Sequence, residues 1–360
     1  MFVKGCCDTL YNILFFIKKM SPKTPAFSVS TSVRTVSYLL TGLALWGVMR
    51  VGLLASLFSG LLVFALVHLL APLLARKFSS TGARLLAVAA LSVITVTLLS
   101  LAIWGTVTFF NSEAGSVERL LQKMADILEA SRGQIPLWLA GYLPDNVHAL
   151  REMLTAWLRQ HATEARLVGQ EAGRTAAHVL LGMIIGAMVA LHDSTEAHVT
   201  RPLALALRQR ALALSVSFQQ IVFAQVRIAG INALLTAAYI FIVLPLAGVH
   251  LPLAKSIVAI TFFAGLLPVV GNLLSNTILV ISGLSHSLEV AVGSLLFMVV
   301  IHKLEYFLNA KIIGQQIKAR PWELLIAMLV MEALFGLPGV VAAPVFYAYL
   351  KQELVAGGLV

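Results

Sequence analysis

Residues 324–350 read LLIAMLVMEALFGLPGVVAAPVFYAYL, and this stretch decides the fold because it is apolar almost throughout yet interrupted at residues 335–339, FGLPG. It is longer than the roughly 20 residues that one helical crossing of a bilayer needs, and too short for two crossings joined by a loop. Proline removes a backbone donor and glycine permits positive φ, so the helix is expected to break there. The pattern predicts a re-entrant helical hairpin, with a full-length helix kinked at Pro338 as the alternative.

A second stretch of the same kind covers residues 254–284 and is interrupted at residues 268–272, PVVGN. The uninterrupted apolar run 290–308 lies between the two stretches. Each stretch follows an uninterrupted apolar run, so the chain would contain two units of one span and one hairpin. Inserted in opposite orientations, the two units would form an inverted repeat. Broken segments at matching positions of two such halves indicate a transporter's binding site. The residues that we expect to line the solute or ion pathway are Pro268, Gly271, Asn272, Asn276, Glu305, Glu332, Gly336, Pro338 and Gly339.

The composition of the chain indicates an integral membrane protein. Of its 360 residues 59% are hydrophobic and 12% are charged, whereas soluble domains have roughly 45–50% apolar and about 25% charged residues. Further apolar runs cover residues 35–49, 51–70, 85–110, 176–191 and 231–249. The predicted fold class is therefore an all-α polytopic integral membrane protein with about six full spans plus two re-entrant hairpins, or eight spans.

The excess of basic residues predicts the orientation. The formal net charge is +10, but the basic residues lie in short segments between apolar runs without interleaved aromatic residues, so nucleic acid is not an expected partner. Residues 1–34 carry five basic side chains and one acidic one, whereas residues 111–175 carry seven basic and eight acidic ones. By the positive-inside rule the N-terminus is cytoplasmic and residues 111–175 are outside.

These patterns predict five regions along the chain. Residues 1–20 lack the pattern of a secretory signal and have the amphipathic pattern of a helix that lies on the membrane. The amphipathic helices expected in residues 111–175 would rest on lipid headgroups or neighbouring subunits rather than form a ligand-binding cap. The predicted regions are an N-terminal cytoplasmic segment (1–34), three transmembrane helices (35–110), extracytoplasmic amphipathic helices (111–175), a fourth transmembrane helix with a cytoplasmic amphipathic linker (176–230), and a transport unit with the broken helices (231–350).

Two carboxylates lie within or beside the apolar runs, where an ionisable group is costly and indicates function. Glu332 lies just before the second interruption and is a candidate for proton or cation coupling, the alternative being a buried carboxyl hydrogen-bonded to another helix. Glu305 could pair instead with Lys303 or Lys311 near the cytoplasmic interface. Asn272 and Asn276 are polar groups that could line the same cavity.

The sequence lacks the motifs of an enzyme. It contains no glycine-rich phosphate loop with a lysine, no HExxH and no nucleophile elbow. Its two cysteines, Cys6 and Cys7, are neighbours and provide neither a disulfide framework nor a zinc spacing. We therefore expect no enzymatic activity, no cofactor, no metal and no ATP-driven pump within this chain.

Three linked motifs resemble the autoinducer-2 exporter family of bacterial membrane transporters, also called AI-2E or PerM-like. They are LPVVGN at 267–272, EYFLNAKIIG at 305–314 and LFGLPGVVAAP at 334–344. The chain departs from the family pattern at Ala310, where proline is frequent, and at Glu332, where small residues are usual.

The resemblance implies a multi-pass protein of the bacterial inner membrane that assembles as a homo-oligomer, a pentamer by analogy. It implies export of a small polar metabolite such as the quorum-sensing signal autoinducer-2. We expect the solute to bind between the hairpin tips and an ion gradient to drive export, with Glu332 or Glu305 carrying the proton. The alternatives are a monovalent cation (Na⁺/Li⁺)/proton antiporter and a non-transporting membrane scaffold.

Overall fold

The computed structural model describes residues 31–75, 80–111, 162–192, 201–251, 254–266, 270–284, 286–317 and 319–359, together with the isolated positions 152, 156 and 160. Within these ranges the chain is helical and contains no strand, which confirms the all-α class. The predicted N-terminal amphipathic segment, most of the extracytoplasmic segment and Pro268 lie outside the described residues.

The helices follow the predicted apolar runs closely. In chain order they are α1 (Thr31–Val51), α2 (Leu54–Leu74), α3 (Ser80–Asn111), α4 (Ala162–His192), α5 (Pro202–Ala238), α6 (Leu244–Leu246), α7 (Ala254–Gly265), α8 (Val270–Leu284), α9 (Leu288–Ile317), α10 (Pro321–Phe335) and α11 (Leu337–Ala356). A five-residue π-helix, Tyr239–Val243, joins α5 to α6.

Three of the described helical stretches are long and apolar enough to cross a membrane: Leu54–Leu74, Gly169–His192 and Pro202–Leu246, with mean hydropathies of 2.3, 1.8 and 2.0. Only 22%, 17% and 44% of the residues in their most apolar windows are buried inside the protein. Because so much apolar surface faces outward, lipid is the solvent that suits these helices. This supports the integral membrane class, while the total number of crossings stays a prediction.

Helix α5 differs from its prediction. A cytoplasmic linker was expected up to residue 230 and the fifth span from residue 231, but one helix runs from Pro202 to Ala238. Its interior contains no proline, so nothing in the backbone interrupts it. Polar side chains on this helix are turned inward and buried; they include Ser215, Ser217 and Gln225 in the predicted linker and Asn232 and Thr236 in the predicted fifth span.

Helices α2 and α4 cross with their backbones in contact. A Cβ atom added to Gly186 would lie 2.2 Å from the carbonyl oxygen of Gly60, and one added to Gly182 would lie 2.1 Å from that of Ser56. The hydroxyl of Ser59 donates a hydrogen bond to the carbonyl of Val179 at 2.9 Å. Small residues allow such close approach, which is how helices associate when the surrounding lipid is as apolar as they are.

The chain forms two compact units. The first comprises Met1–Thr95, Arg174–Ile221 and Ile317–Val360, and the second comprises Val96–Gly173 and Val222–Gln316. Each unit contains one broken helix pair, α7–α8 in the second unit and α10–α11 in the first. In the second unit the ring of Tyr239 stacks on that of Phe297 at a centroid distance of 4.1 Å. The buried side chains around this pair include Ile240, Leu244, Leu251, Ile257, Leu279 and Val290.

Candidate functional site

The first break separates α7, which ends at Gly265, from α8, which begins at Val270. The two helices pack against each other as a helical hairpin, called here the first hairpin. Gly271 is buried, and a Cβ atom at this position would lie 1.6 Å from the carbonyl oxygen of Ala264. Only glycine allows the arms to meet this closely, which gives a packing reason for the glycine that the sequence marked as a site residue.

Gln225 of α5 holds the broken end of α7. Its amide nitrogen donates a hydrogen bond to the carbonyl oxygen of Gly265 at 2.7 Å, and the side chain is only 8% exposed. A helix end leaves carbonyls without intrahelical partners, so this amide satisfies one acceptor that the break has freed. Sequence reasoning missed Gln225 because it is 40 residues away from its partner. The available signal was a polar amide between the apolar residues Ala224 and Val226.

A second amide on α5 lies buried without a partner for its oxygen. Asn232 is 3% exposed, and its Oδ1 atom accepts no hydrogen bond from the described residues. Gln225, Asn232 and Thr236 are seven and four residues apart, so they share one face of α5. An unsatisfied buried acceptor is costly, and a hydroxyl, an amine, a cation or a water molecule would satisfy it.

The structure locates the other predicted residues of this region only in part. Asn276 lies on α8 and is half-buried. Asn272 lies in the first turn of the same helix, and Glu305 lies on α9, but their side chains are outside the described residues. The predicted pairing of Glu305 with a lysine is therefore untested.

The second break is narrower than the sequence predicted. It consists of Gly336 alone, with φ 65° and ψ −148°, between α10 and α11. Pro338 belongs to the first turn of α11, where its fixed φ suits a helix and its missing N–H is no loss. Gly339 is also helical and buried, and a Cβ atom there would lie 1.9 Å from the carbonyl oxygen of Met331. The pair α10–α11 is called here the second hairpin.

The carboxylate of Glu332 is exposed in the last turn of α10. Its backbone carbonyl accepts a hydrogen bond from the N–H of Gly336 at 2.7 Å, which closes the helix at the break. Gly336 and Pro338 are exposed as well. Thus three of the predicted site residues surround one exposed turn, and the packed glycine Gly339 lies just behind it.

A buried ion pair that sequence reasoning missed lies at the other end of the second hairpin. Glu353 of α11 is 6% exposed and pairs with Arg210 of α5. The hydroxyl of Tyr38 on α1 also donates to Glu353, at 3.3 Å. The guanidinium carbon of Arg210 lies 4.0 Å from the ring centroid of Tyr38, a cation–π contact. We call Tyr38, Arg210 and Glu353 the clamp cluster.

The clamp cluster is incompletely hydrogen-bonded. The Nε atom of Arg210 is buried and has no hydrogen-bond partner among the described residues. A further polar contact lies beside the cluster: the hydroxyl of Ser217, about two turns from Arg210 on α5, donates to the side-chain oxygen of Gln352 at 2.8 Å. The apolar run that the sequence shows ends at Leu350, three residues before Glu353, so no local pattern marks this acid as a buried group.

Polar side chains also tie the two arms of the second hairpin to each other. The ammonium group of Lys351 on α11 lies 2.6 Å from the carboxylate of Glu323 on α10, which also accepts a hydrogen bond from the hydroxyl of Tyr347. This tie is at the open end of the hairpin, and the contact of Gly339 with Met331 is near its break. The arms are therefore held together at both ends.

Comparison of the chain with known proteins gives one finding that concerns nearly its whole length. Residues 35–356 match the family described as AI-2E family transporter. Searches of curated proteins and of solved structures returned no match. The match extends from α1 to the end of α11 and includes both hairpins and the long helix α5. The chain therefore belongs to the AI-2E family of membrane transporters.

Proposed function

We propose that this protein exports a small polar metabolite, an autoinducer-2-like signal, across the bacterial inner membrane and that an ion gradient drives the export. Membership of a transporter family supports movement of a solute. The observation that carries the proposal is the first break, where Gln225 holds a freed helix end among apolar helices. In a membrane, irregular backbone is tolerated only inside protein or beside a water-filled cavity. The break is therefore a suitable place for a polar solute to bind.

The polar groups near the first break could bind a solute rich in hydroxyl groups. The buried oxygen of Asn232 can accept a hydrogen bond, and the half-buried amide of Asn276 can both accept and donate. Broken helices add backbone N–H and C=O groups at their ends. A polyhydroxylated metabolite presents donors and acceptors in the same way, whereas an apolar compound would leave these groups unsatisfied.

We propose Glu332 as the carrier of the coupling ion, with Glu305 as the second candidate. Glu332 is exposed one turn before the second break, so its carboxylate is not enclosed by the packed arms of the hairpin. An ionisable group within an apolar helix is expensive in lipid and is retained mainly where it functions.

Metabolite profiling tests the proposal directly. A strain that lacks the gene is compared with the same strain carrying the native gene, and autoinducer-2 and other polar metabolites are measured in the spent medium and in the cells. We expect the deletion to lower the signal in the medium and to raise it inside the cells, and the native gene to reverse both changes. Equal distributions in the two strains would refute export of that signal.

The exposed carboxylate of Glu332 is also what a monovalent cation/proton antiporter would need. Purified protein in liposomes containing a pH-sensitive dye separates the two functions. A Na⁺ or Li⁺ gradient that drives proton movement through the native protein but not through Glu332→Gln, while metabolite efflux is unchanged by the substitution, would favour the antiporter. For a non-transporting scaffold, deletion of residues 113–143 would abolish the cellular effect, whereas a transporter would retain its flux.

A further inference from the structure

The second hairpin is built as a rigid piece. Near its break, the backbone of Gly339 contacts the backbone of Met331 with no room for a Cβ atom between them. At its open end, Lys351 and Tyr347 on one arm both bind Glu323 on the other. Backbones in direct contact cannot slide past each other without a steric clash, and two ties at opposite ends prevent the arms from splaying.

The contacts that attach this hairpin to α1 and α5 are of a different kind. Near the break they are apolar: Met49 and Leu54, at the corner between α1 and α2, pack with Ala342 of α11. Apolar contact has no preferred direction and allows surfaces to shift over each other. At the open end the attachment is polar and directional, through Arg210 and Tyr38 on Glu353 and through Ser217 on Gln352.

The composition of the clamp cluster is poorly suited to permanent attachment. A buried ion pair is often no more stabilising than apolar side chains of the same volume, because both charges must leave water. Here the Nε donor of Arg210 also lacks an acceptor among the described residues. Such groups regain hydrogen bonds when water enters. These new hydrogen bonds offset part of the free-energy cost of breaking the ion pair.

We propose that the Arg210–Glu353 pair is a releasable clamp, and that the second hairpin separates from α1 and α5 as a rigid body when this pair opens during transport. This inference rests on the proposed transport function. It assigns to Arg210, Tyr38 and Glu353 a positioning role rather than contact with the solute. The clamp selects one resting position for the hairpin, and its polar groups exchange protein partners for water when the hairpin moves.

Reversible cross-linking tests whether the clamp must open. In a protein with Cys6 and Cys7 replaced by serine, Arg210→Cys and Glu353→Cys are joined by a short bis-methanethiosulfonate reagent, and autoinducer-2 efflux is measured before and after reduction. We expect the cross-link to lower efflux at least about tenfold and reduction to restore it. The matched control joins Glu323→Cys to Lys351→Cys within the hairpin, and there efflux should be the same with and without the cross-link. Unimpaired efflux from the protein locked at 210 and 353 would overturn the proposal.

A labelling measurement decides the question without any solute. Ser217 is fully buried against Gln352, so Ser217→Cys in the cysteine-free protein should react slowly with a membrane-permeant maleimide. We expect Arg210→Gln or Glu353→Gln to raise the rate about tenfold or more, because loss of one partner leaves a buried charge unpaired. The exchanged pair Arg210→Glu with Glu353→Arg should return the rate toward its native value.

The two measurements separate the clamp from the proposed function. Labelling rates that do not change in the single variants would refute the clamp, even if autoinducer-2 is exported. If the native protein moves no autoinducer-2, the proposed function fails, and the labelling rates alone decide whether the hairpin is clamped by this pair.

Discussion

At the scale of the residue, the structure at the two breaks depends on one hydrogen-bond donor and on two positions that lack a Cβ atom. The amide of Gln225 donates to the carbonyl that the end of α7 leaves free, and the missing Cβ atoms of Gly271 and Gly339 let the arms of each hairpin meet. Polar groups freed in this way would be costly in an apolar surrounding unless a side chain or a solute satisfied them. The hairpins therefore need particular residues at a few positions, whereas the lipid-facing positions need only be apolar.

Replacement of Gln225 by leucine is expected to damage both stability and export. The carbonyl of Gly265 would lose its donor while it stays shielded from water, a loss of about 1–3 kcal/mol. Gln219→Leu on the same helix is the matched control, because Gln219 is half-buried and its one described hydrogen bond, to Ser215, is long at 3.4 Å. Thermal unfolding of the purified proteins and autoinducer-2 in the medium measure the two effects. Equal losses in both variants would show that the contact with the break is unimportant.

Alanine at Gly339 should be destabilising although its only addition is one methyl group. The Cβ atom would lie 1.9 Å from the carbonyl oxygen of Met331, so the arms must separate. Overpacking of this kind costs about 1–3 kcal/mol. Gly173→Ala on α4 is the control, because none of the described residues has an atom within 4 Å of the added Cβ, and alanine is a better helix former than glycine. A melting temperature for Gly339→Ala that equals or exceeds that of Gly173→Ala would contradict the close contact.

At the scale of the element, the crossing of α2 and α4 depends on backbone contact between glycines. Gly186→Ala is expected to force these helices apart, because its Cβ atom would lie 2.2 Å from the carbonyl oxygen of Gly60. The displacement should also break the hydrogen bond from Ser59 to Val179 and lower the melting temperature in detergent. Gly169→Ala, earlier on α4 and with no described residue within 4 Å of the added atom, should leave the temperature unchanged or raise it slightly. Equal behaviour of the two variants would show that α2 and α4 do not cross at these glycines.

The sequence predicted the helices well and their polar contacts poorly. Length, hydropathy and the positions of proline and glycine located both interruptions, since these are local properties of the chain. They could not show that Gln225 reaches Gly265 or that Arg210 reaches Glu353, because those pairs are 40 and 143 residues apart. The start of α5 was missed for a related reason. Its polar side chains have the pattern of a surface stretch when their buried partners are unknown.

The boundary at the second break also required the structure. The motif FGLPG has two glycines and a proline, each of which can end a helix, so the whole motif was expected to be irregular. In the structure only Gly336 adopts positive φ, Pro338 starts the next helix, and Gly339 provides close packing. One motif thus combines three separate roles that composition alone does not distinguish.

At the scale of the whole molecule, the hairpins predict on which side of the membrane the ends of each broken helix pair lie. A hairpin that enters and leaves a bilayer on one side has both open ends on that side, whereas a kinked full-length span has them on opposite sides. The positive-inside distribution predicts that the ends of the first hairpin lie outside and those of the second inside. Packing of α7 on α8 and of α10 on α11 favours hairpins, because the arms of a kinked span would point away from each other.

Single cysteines at the open ends test this arrangement in a protein without Cys6 and Cys7. Lys255 and His286 flank the first hairpin, and Trp322 and Ala356 flank the second; all four are exposed, so the substitutions should be tolerated. In intact spheroplasts, a membrane-impermeant maleimide should label positions 255 and 286 and should not label 322 and 356. In inverted membrane vesicles the pattern should reverse. Labelling of 255 and 286 from opposite sides would mean that residues 254–284 cross the membrane as one kinked helix, and the inverted repeat on which the transport proposal depends would then be lost.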